Sequence, residues 1–402
     1  MTINEKLRDA TVDYSIKSIT AICTEIGPRE PGSEQERKAL DYYAKDIKDN
    51  NWADSVDYQE FEVAPKAFMS FSKIVPILMG IGLLAFFISP IFLSIFALAG
   101  LVIVFFEFVL YKPFVDRFMK KSKSHNLIAI KKAKGEIKKR IIFSGHIDSA
   151  YEWTVFRKFG PIVNVLGLVL AFIGSVASLI VGIVLTINGS SSLLPYFLLL
   201  FFLPGYLCLF AFSNFKRVVP GANDNLTGCA GSVALLKYLK EEGLEFENTE
   251  VQAVLMGSEE AGLRGAKAWT KKYSKEYNDP HVETVFIGLE TFRDIDHIYN
   301  YVKDLSGTIK HNSKAIALID KVALALYGKT FKHASVYIGA SDAAAVTQGG
   351  MCAGAIAAMD PAPARYYHTR EDDENNLSPE CIAKCMDIVI TLVKNFEKDG
   401  LN

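Results

Sequence analysis

What this chain lacks narrows it first. It has six cysteines in 402 residues, Cys23, Cys208, Cys229, Cys352, Cys381 and Cys385, and no Cys-x-x-Cys pair. A disulfide framework and a cysteine-built zinc ribbon are therefore not expected. Cys381 and Cys385, four apart on an expected helix, read as small core residues. Neither sign of charge dominates, with 44 Lys and Arg against 45 Asp and Glu. That excludes a basic nucleic-acid footprint and an acidic solvating tail. Met1 to Ala10 is polar and holds no apolar signal-peptide core. No His-Glu-x-x-His motif occurs, and Gly328-Lys329-Thr330 lacks the first P-loop glycine because position 323 is Ala.

Charge is nearly absent from two long stretches. From Ile74 to Leu110 the one ionisable residue is Glu107, and from Pro161 to Phe215 there is no Asp, Glu, Lys or Arg. A membrane-spanning helix needs about 20 apolar residues. Each stretch is long enough for two, with turns expected at Ser89-Pro90 and at Asn188-Gly189-Ser190-Ser191-Ser192. Core helices of a soluble protein are seldom apolar on every face for so long. Transmembrane hairpins are therefore expected over 74–111 and 161–215, inserted into a single domain spanning 1–402. A hairpin leaves and returns on one side. Lys66, Lys73, Lys112, Arg117, Lys120, Lys121, Lys123, Arg157, Lys158, Lys216 and Arg217 flank that side, and the far turns carry no Lys or Arg. The positive-inside rule then predicts an integral membrane protein with four spans, its polar part and both termini in the cytoplasm. Glu107 lies near a helix end, where headgroup water is in reach. Asn188-Gly189-Ser190 and Asn225-Leu226-Thr227 match the short glycosylation triplet, which carries little weight.

The polar remainder alternates strand and helix. Helices are expected over 15–22, 33–48, 224–239, 262–273, 312–327 and 379–396. Strands are expected over 57–63, 126–131, 140–144, 251–256 and 284–289, with 126–131 and 140–144 paired around Lys134-Gly135. This is the pattern of an α/β sandwich around a mixed sheet.

Five acidic and histidine clusters follow in order along the chain, Gly145-His146-Ile147-Asp148, Gly221-Ala222-Asn223-Asp224-Asn225, Ser258-Glu259-Glu260-Ala261-Gly262-Leu263, Leu289-Glu290 and Tyr367-His368-Thr369, and three of them fall where strands end, after Ser144, Met256 and Leu289. Ligands gather beyond the carboxyl ends of strands in open α/β sheets. A hydrolytic zinc ion takes N and O ligands and leaves a position for water. Two such ions about 3.5–4 Å apart need a bridging carboxylate, and Asp224, in a tight turn before a helix, suits that place. A lone Asn-Asp-Asn is otherwise a helix cap. Adjacent glutamates are commonly solvated surface charges. Here Glu259 and Glu260 follow an apolar strand, so one can bind metal while the other takes a proton from water. His146 and Asp148, two apart, can face one cavity, with Asp148 holding the other ring nitrogen of a ligating His146. A solitary His is more often structural, but Asp372 lies near enough in sequence to orient His368. His125, His281, His297, His311 and His333 fit no ligand set.

The ordered set resembles the zinc aminopeptidase family that includes glutamate carboxypeptidase and glutaminyl cyclase. Gly27-Pro28-Arg29-Glu30-Pro31-Gly32-Ser33 is similar to that family's N-terminal segment, and Gly339-Ala340-Ser341-Asp342 to its late Ser-Asp turn. The resemblance covers roughly two-thirds of the chain and implies a three-layer sandwich. It also implies two divalent metal ions, zinc being the expected metal, with His146, Asp224 and Glu290 holding one. Asp224, Glu260 and His368 would hold the other, Glu259 would be the base, and Asp148 the aspartate behind His146. Glu290 stands where many aminopeptidases have Asp, and the hairpins lie outside the common family core. The expected activity is a metallopeptidase of aminopeptidase type acting on peptides, membrane-associated ones included. Glutaminyl cyclisation, another amide hydrolysis or a non-catalytic membrane scaffold are the alternatives. Asp224 follows Phe215 by nine residues, an extended span of at most about 30 Å. The metal cavity is therefore expected to face the bilayer. No nucleic acid is expected as a partner, and the sequence does not settle the oligomeric state.

Overall fold

The computed structural model describes residues 3–190, 192–336, 339–362 and 364–401. Ser191, within the second expected turn, lies outside the described residues. The chain divides into two compact units. One comprises Met1–Pro65, Lys121–Ala150 and Val218–Asn402, and the other Lys66–Lys120 and Tyr151–Arg217.

Eleven strands are described: β1 Ser55–Val63, β2 Ser122–Lys131, β3 Lys139–His146, β4 Tyr151–Trp153, β5 Ser213–Val218, β6 Thr249–Met256, β7 Glu283–Phe292, β8 Ile298–Asp304, β9 Ile309–Lys310, β10 Lys332–Ser335 and β11 Ala353–Ala358. In the first unit they form a mixed sheet in the order β1-β2-β6-β3-β7-β11-β8-β10, with β9 beside β8. The centre is parallel, β6, β3, β7 and β11 running together, while β1, β2 and β8 run against their inner neighbours. The expected direct pairing of 126–131 with 140–144 is not formed. β6 enters between them, because this largely apolar strand, buried along its whole length, belongs at the middle of the sheet.

Alternation along the strands sorts side chains into two layers. Ile141, Phe143, Val251, Ala253, Leu255, Val285, Ile287, Leu289 and Ile356 join one core with the helices Glu5–Ala21, Glu34–Asp49, Thr227–Glu241, Ser313–Tyr327 and Pro379–Asp399. On the opposite face the helix Arg264–Tyr277 packs Trp269 against Phe286 at 5.7 Å between ring centroids. Helix ends follow local chemistry. Ser33 accepts from Glu36 N at 3.1 Å, and Ser378 accepts from Cys381 N ahead of Pro379. The helix expected from 224 begins at Thr227, since Asp224 and Asn225 take non-helical angles. Cys381 and Cys385 are fully buried, and all six cysteines are free.

Among its described residues the second unit holds four helices long and apolar enough to cross a membrane: Phe68–Ala85, Pro90–Val109, Thr154–Ile187 and Leu193–Phe212. Among the described residues, every exposed large hydrophobic side chain except Leu324 belongs to this unit. Gly160, at φ 82°, breaks the third helix just before Pro161. Glu107 is fully buried rather than facing headgroup water. Its carboxylate accepts the backbone N–H of Phe114 at 2.5 Å and of Val115 at 2.6 Å.

Candidate metal centre

His146 ends β3, and the next turn carries Asp148. Gly145 has to be glycine, since a Cβ there would stand 2.4 Å from Cys229 N at the start of the following helix. Asp148 is fully buried, and its two carboxylate oxygens accept the backbone N–H groups of Glu259 at 3.0 Å and Glu260 at 2.9 Å. Its Oδ1 also lies 3.4 Å from His146 Nδ1, long for a hydrogen bond. Asp148 therefore joins the end of β3 to the glutamate pair after β6.

Asp224 sits in a loop held from several directions. Gly221 is left-handed at φ 63°, and a Cβ there would meet the Ser149 Cβ at 2.6 Å. The Asp372 carboxylate accepts from Asn223 N, Asn223 Nδ2 and Asp224 N at 2.9, 2.8 and 3.0 Å. Asp372 thus holds the Asp224 loop, where the sequence pointed to a role in orienting His368. Arg29, fully buried, donates to the carbonyls of Ile147, Pro220 and Gly221 at 2.6, 2.7 and 2.9 Å. One guanidinium so fastens the Asp148 turn to the Asp224 loop. Glu36, also buried, accepts from Ser258 N at 2.7 Å and Gly32 N at 2.9 Å, fixing the residue before Glu259.

These supports bring the candidate residues together. Asp224 spans the two histidines, with Oδ1 3.2 Å from His146 Nε2 and Oδ2 3.1 Å from His368 Nε2. His368 Nε2 is also 3.1 Å from Glu260 Oε1, and His146 Nε2 is 4.0 Å from Glu259 Oε2. Among the described residues, two sets have donor atoms all within 4.8 Å of one another, Asp224, Glu260 and His368, and His146, Glu259 and Glu260. Glu290 approaches from β7, where the Asn225 amide donates to its Oε2 at 2.8 Å while its buried Oε1 has no hydrogen bond. Tyr367 stacks on the His368 ring at 4.0 Å.

The electrostatics are those of an acid cluster short of positive charge. Burial opposes charge on His368, yet Glu260 and Asp224 raise its pKa to about 10. Burial likewise opposes charge on His146, but Glu259, Asp148 and Asp224 hold it well above its ordinary value. Burial would raise Asp224, and the two imidazoles instead hold it below the usual carboxylate range. Glu259 is held well above that range by burial, with Glu260 and Asp342 adding to it against His146. Glu290 is held up by burial and by Asp342 and Asp224, again against His146. Asp342 is the aspartate of the late Ser-Asp turn, its two buried oxygens lack hydrogen bonds, and burial beside Asp148 and Asp304 lifts it to about 7.

Arg29, Glu36 and the amide of Asn225 are supports that motif spacing did not single out by role, and Asp372 holds the Asp224 loop rather than His368. Arg29 stood within a noted Gly-Pro-Arg-Glu-Pro-Gly segment, whose glycines and prolines were its only signal.

Peptidase family M28 matches residues 206–393, which include Asp224, Glu259, Glu260, Glu290 and His368. No curated protein matches the chain. Among solved structures it is similar to a zinc aminopeptidase from Bacillus subtilis, at 14% identity and TM-score 0.55 over 96% of this chain and 95% of that one. An aminopeptidase from Aneurinibacillus sp. strain AM-1 shows 16% identity and TM-score 0.56 over 97% and 95%. A glutaminyl cyclase from Fimbriiglobus ruber shows 14% identity and TM-score 0.57 over 95% and 94%. The expected sandwich around a mixed sheet is borne out by this likeness, and the family model matches part of the chain.

Proposed function

Taking the chain as a metallopeptidase of the Peptidase family M28 kind, we propose that it is a membrane-embedded aminopeptidase whose centre holds two zinc ions. The observation that carries this reading is the meeting of His146, Asp224, Glu259, Glu260 and His368 within ligand reach. The residues suit such ions. Two imidazoles among carboxylates are a nitrogen and oxygen donor set that zinc takes. Glu290 keeps a buried oxygen without a hydrogen bond, and burial holds Glu259, Glu290 and Asp342 raised even with His146 opposing it. His146, Asp224 and Glu290 would hold one ion, and Asp224, Glu260 and His368 the other. Zinc bound there would polarise the scissile carbonyl and bring the pKa of a water to about 7.

The protein's own groups then have distinct tasks. Glu259 is the carboxylate left over from this ligand assignment, and its raised proton affinity suits a general base. It would take a proton from the attacking water and hand it to the leaving amine. Asp148, gripping the N–H groups of both glutamates, fixes base and ligand relative to each other. The four apolar helices support a membrane location, and the distribution of Lys and Arg favours a cytoplasmic catalytic unit. Peptides at the membrane are the proposed substrates.

A second reading is glutaminyl cyclisation, favoured by the fold's likeness to the Fimbriiglobus ruber enzyme. Zinc content, measured beside assays on aminoacyl anilides and on N-terminal glutamine peptides, separates the two. The expected result is two zinc ions per chain and anilide hydrolysis. Glu259→Gln should retain zinc and lose about 10²–10⁴ of the rate. Undiminished activity in that variant would overturn the base assignment, and pyroglutamate release without anilide hydrolysis would replace the aminopeptidase reading.

A further inference from the structure

The second unit gathers the polar ends of its four helices on one side. Lys73, early in the first helix, donates to the carbonyl of Phe210 near the end of the last. Its ammonium stands 4.8 Å from the Phe210 ring and 5.6 Å from the Phe215 ring. Phe68 and Phe71 pack on Tyr111 and Phe108 at 4.6 and 5.0 Å, closing the first hairpin. β4 and β5 pair at the base of the second. The opposite tips also meet, Phe86 and Phe87 lying 4.9 and 5.1 Å from Tyr196.

The polar side is strongly basic. The unit has nine Lys or Arg and three acids. Glu107 and Glu152 are buried, while Lys112, Arg117, Lys120, Lys158, Lys216 and Arg217 are exposed. Two exposed phenylalanines stand in the same zone, Phe118 at 76% and Phe159 at 65%. Each directly follows a cation, in Arg117-Phe118 and Lys158-Phe159. Phe118 lies beyond the second span, and Phe159 precedes the Gly160 break, so neither ring belongs to a continuous spanning segment. The Arg117 guanidinium lies 5.5 Å from the Phe114 ring and 5.1 Å from the Phe118 ring. Glu107 fixes this segment through the N–H groups of Phe114 and Val115.

We infer that this face is a binding surface for anionic phospholipid headgroups of the bilayer. Its cations meet the phosphates, and Phe118 and Phe159 enter the boundary between headgroups and acyl chains. Sidedness alone requires only the charges, whereas two rings exposed beside cations add a means of insertion. The inference rests on the membrane-spanning reading of the four helices.

The test uses the full chain, purified in neutral detergent and delipidated, then titrated with phosphatidylglycerol or phosphatidylcholine of matched chains and read by native mass spectrometry. Wild type should retain phosphatidylglycerol about tenfold better. A Lys112→Glu, Arg117→Glu, Lys158→Glu variant should lose that preference, with its melting temperature in detergent and its zinc content serving as checks on folding. Phe118→Ala with Phe159→Ala, which keeps every charge, should weaken retention of both lipids. Equal retention by wild type, or a preference unchanged in the charge variant, would overturn this inference and leave the membrane reading intact. A protein that stays monodisperse without detergent and binds neither lipid would overturn the membrane reading first.

Discussion

The side-chain amide of Asn225 donates to the carboxylate of Glu290 at 2.8 Å. The same amide donates to the Leu289 carbonyl at 2.8 Å, and its oxygen accepts from Gly228 N at 3.1 Å. Asn225 therefore starts a helix and aims a proposed ligand at once. Asn225→Ala should weaken zinc binding by about 10–100-fold, as outer supports of metal ligands generally do. Competition with a zinc chelator measures it.

Asp148→Asn keeps the shape of the side chain and replaces one of its two acceptor oxygens with a donor. That amide would face a backbone N–H of Glu259 or Glu260. The expected loss in kcat/KM is about 10–100-fold, with the melting temperature falling less than in Asp148→Ala.

Arg29→Met removes a buried cation that three carbonyls share. Stranded acceptors and lost charged hydrogen bonds should cost about 2–4 kcal/mol. Thermal unfolding of the detergent-solubilised protein should show the drop, and added zinc should recover only part of it.

Zinc binding should be strongly pH-dependent. Without metal, Glu260 and Asp224 hold His368 protonated up to about pH 10, while zinc takes the neutral ring. Binding at neutral pH must expel that proton, so apparent affinity should rise by about tenfold per pH unit for each proton released. Calorimetry in two buffers of different ionisation enthalpy counts the protons.

Asp342 gives a stability profile of opposite slope. Its pKa is raised from 3.8 to about 7 in the fold. The native state therefore binds more protons than the unfolded chain between those values, and metal-free stability falls as pH rises through that window. Asp342→Asn should melt above wild type at pH 8 in the metal-free form, and the two should converge near pH 4.

The clustering of His146, Asp224, Glu259, Glu260 and His368 was legible because metal chemistry restricts residue type and order, and the apolar helices because no charge interrupts them. β11 was not, since Ala-Gly-Ala-Ile-Ala-Ala carries little strand propensity and pairs only because parallel β7 and antiparallel β8 flank it. Arg29 was named in a motif but not given a task, because a lone arginine reads as surface until three loops close over it. The entry of β6 between β2 and β3 depends on contacts distant in sequence, which local alternation does not encode.

Asp372 grips the loop of Asp224 and stands only four residues after His368. A chain still emerging from the ribosome, or one cut short before this point, has neither the latch nor the last proposed ligand. The proposed site would then form only after the chain has been made through Asp372.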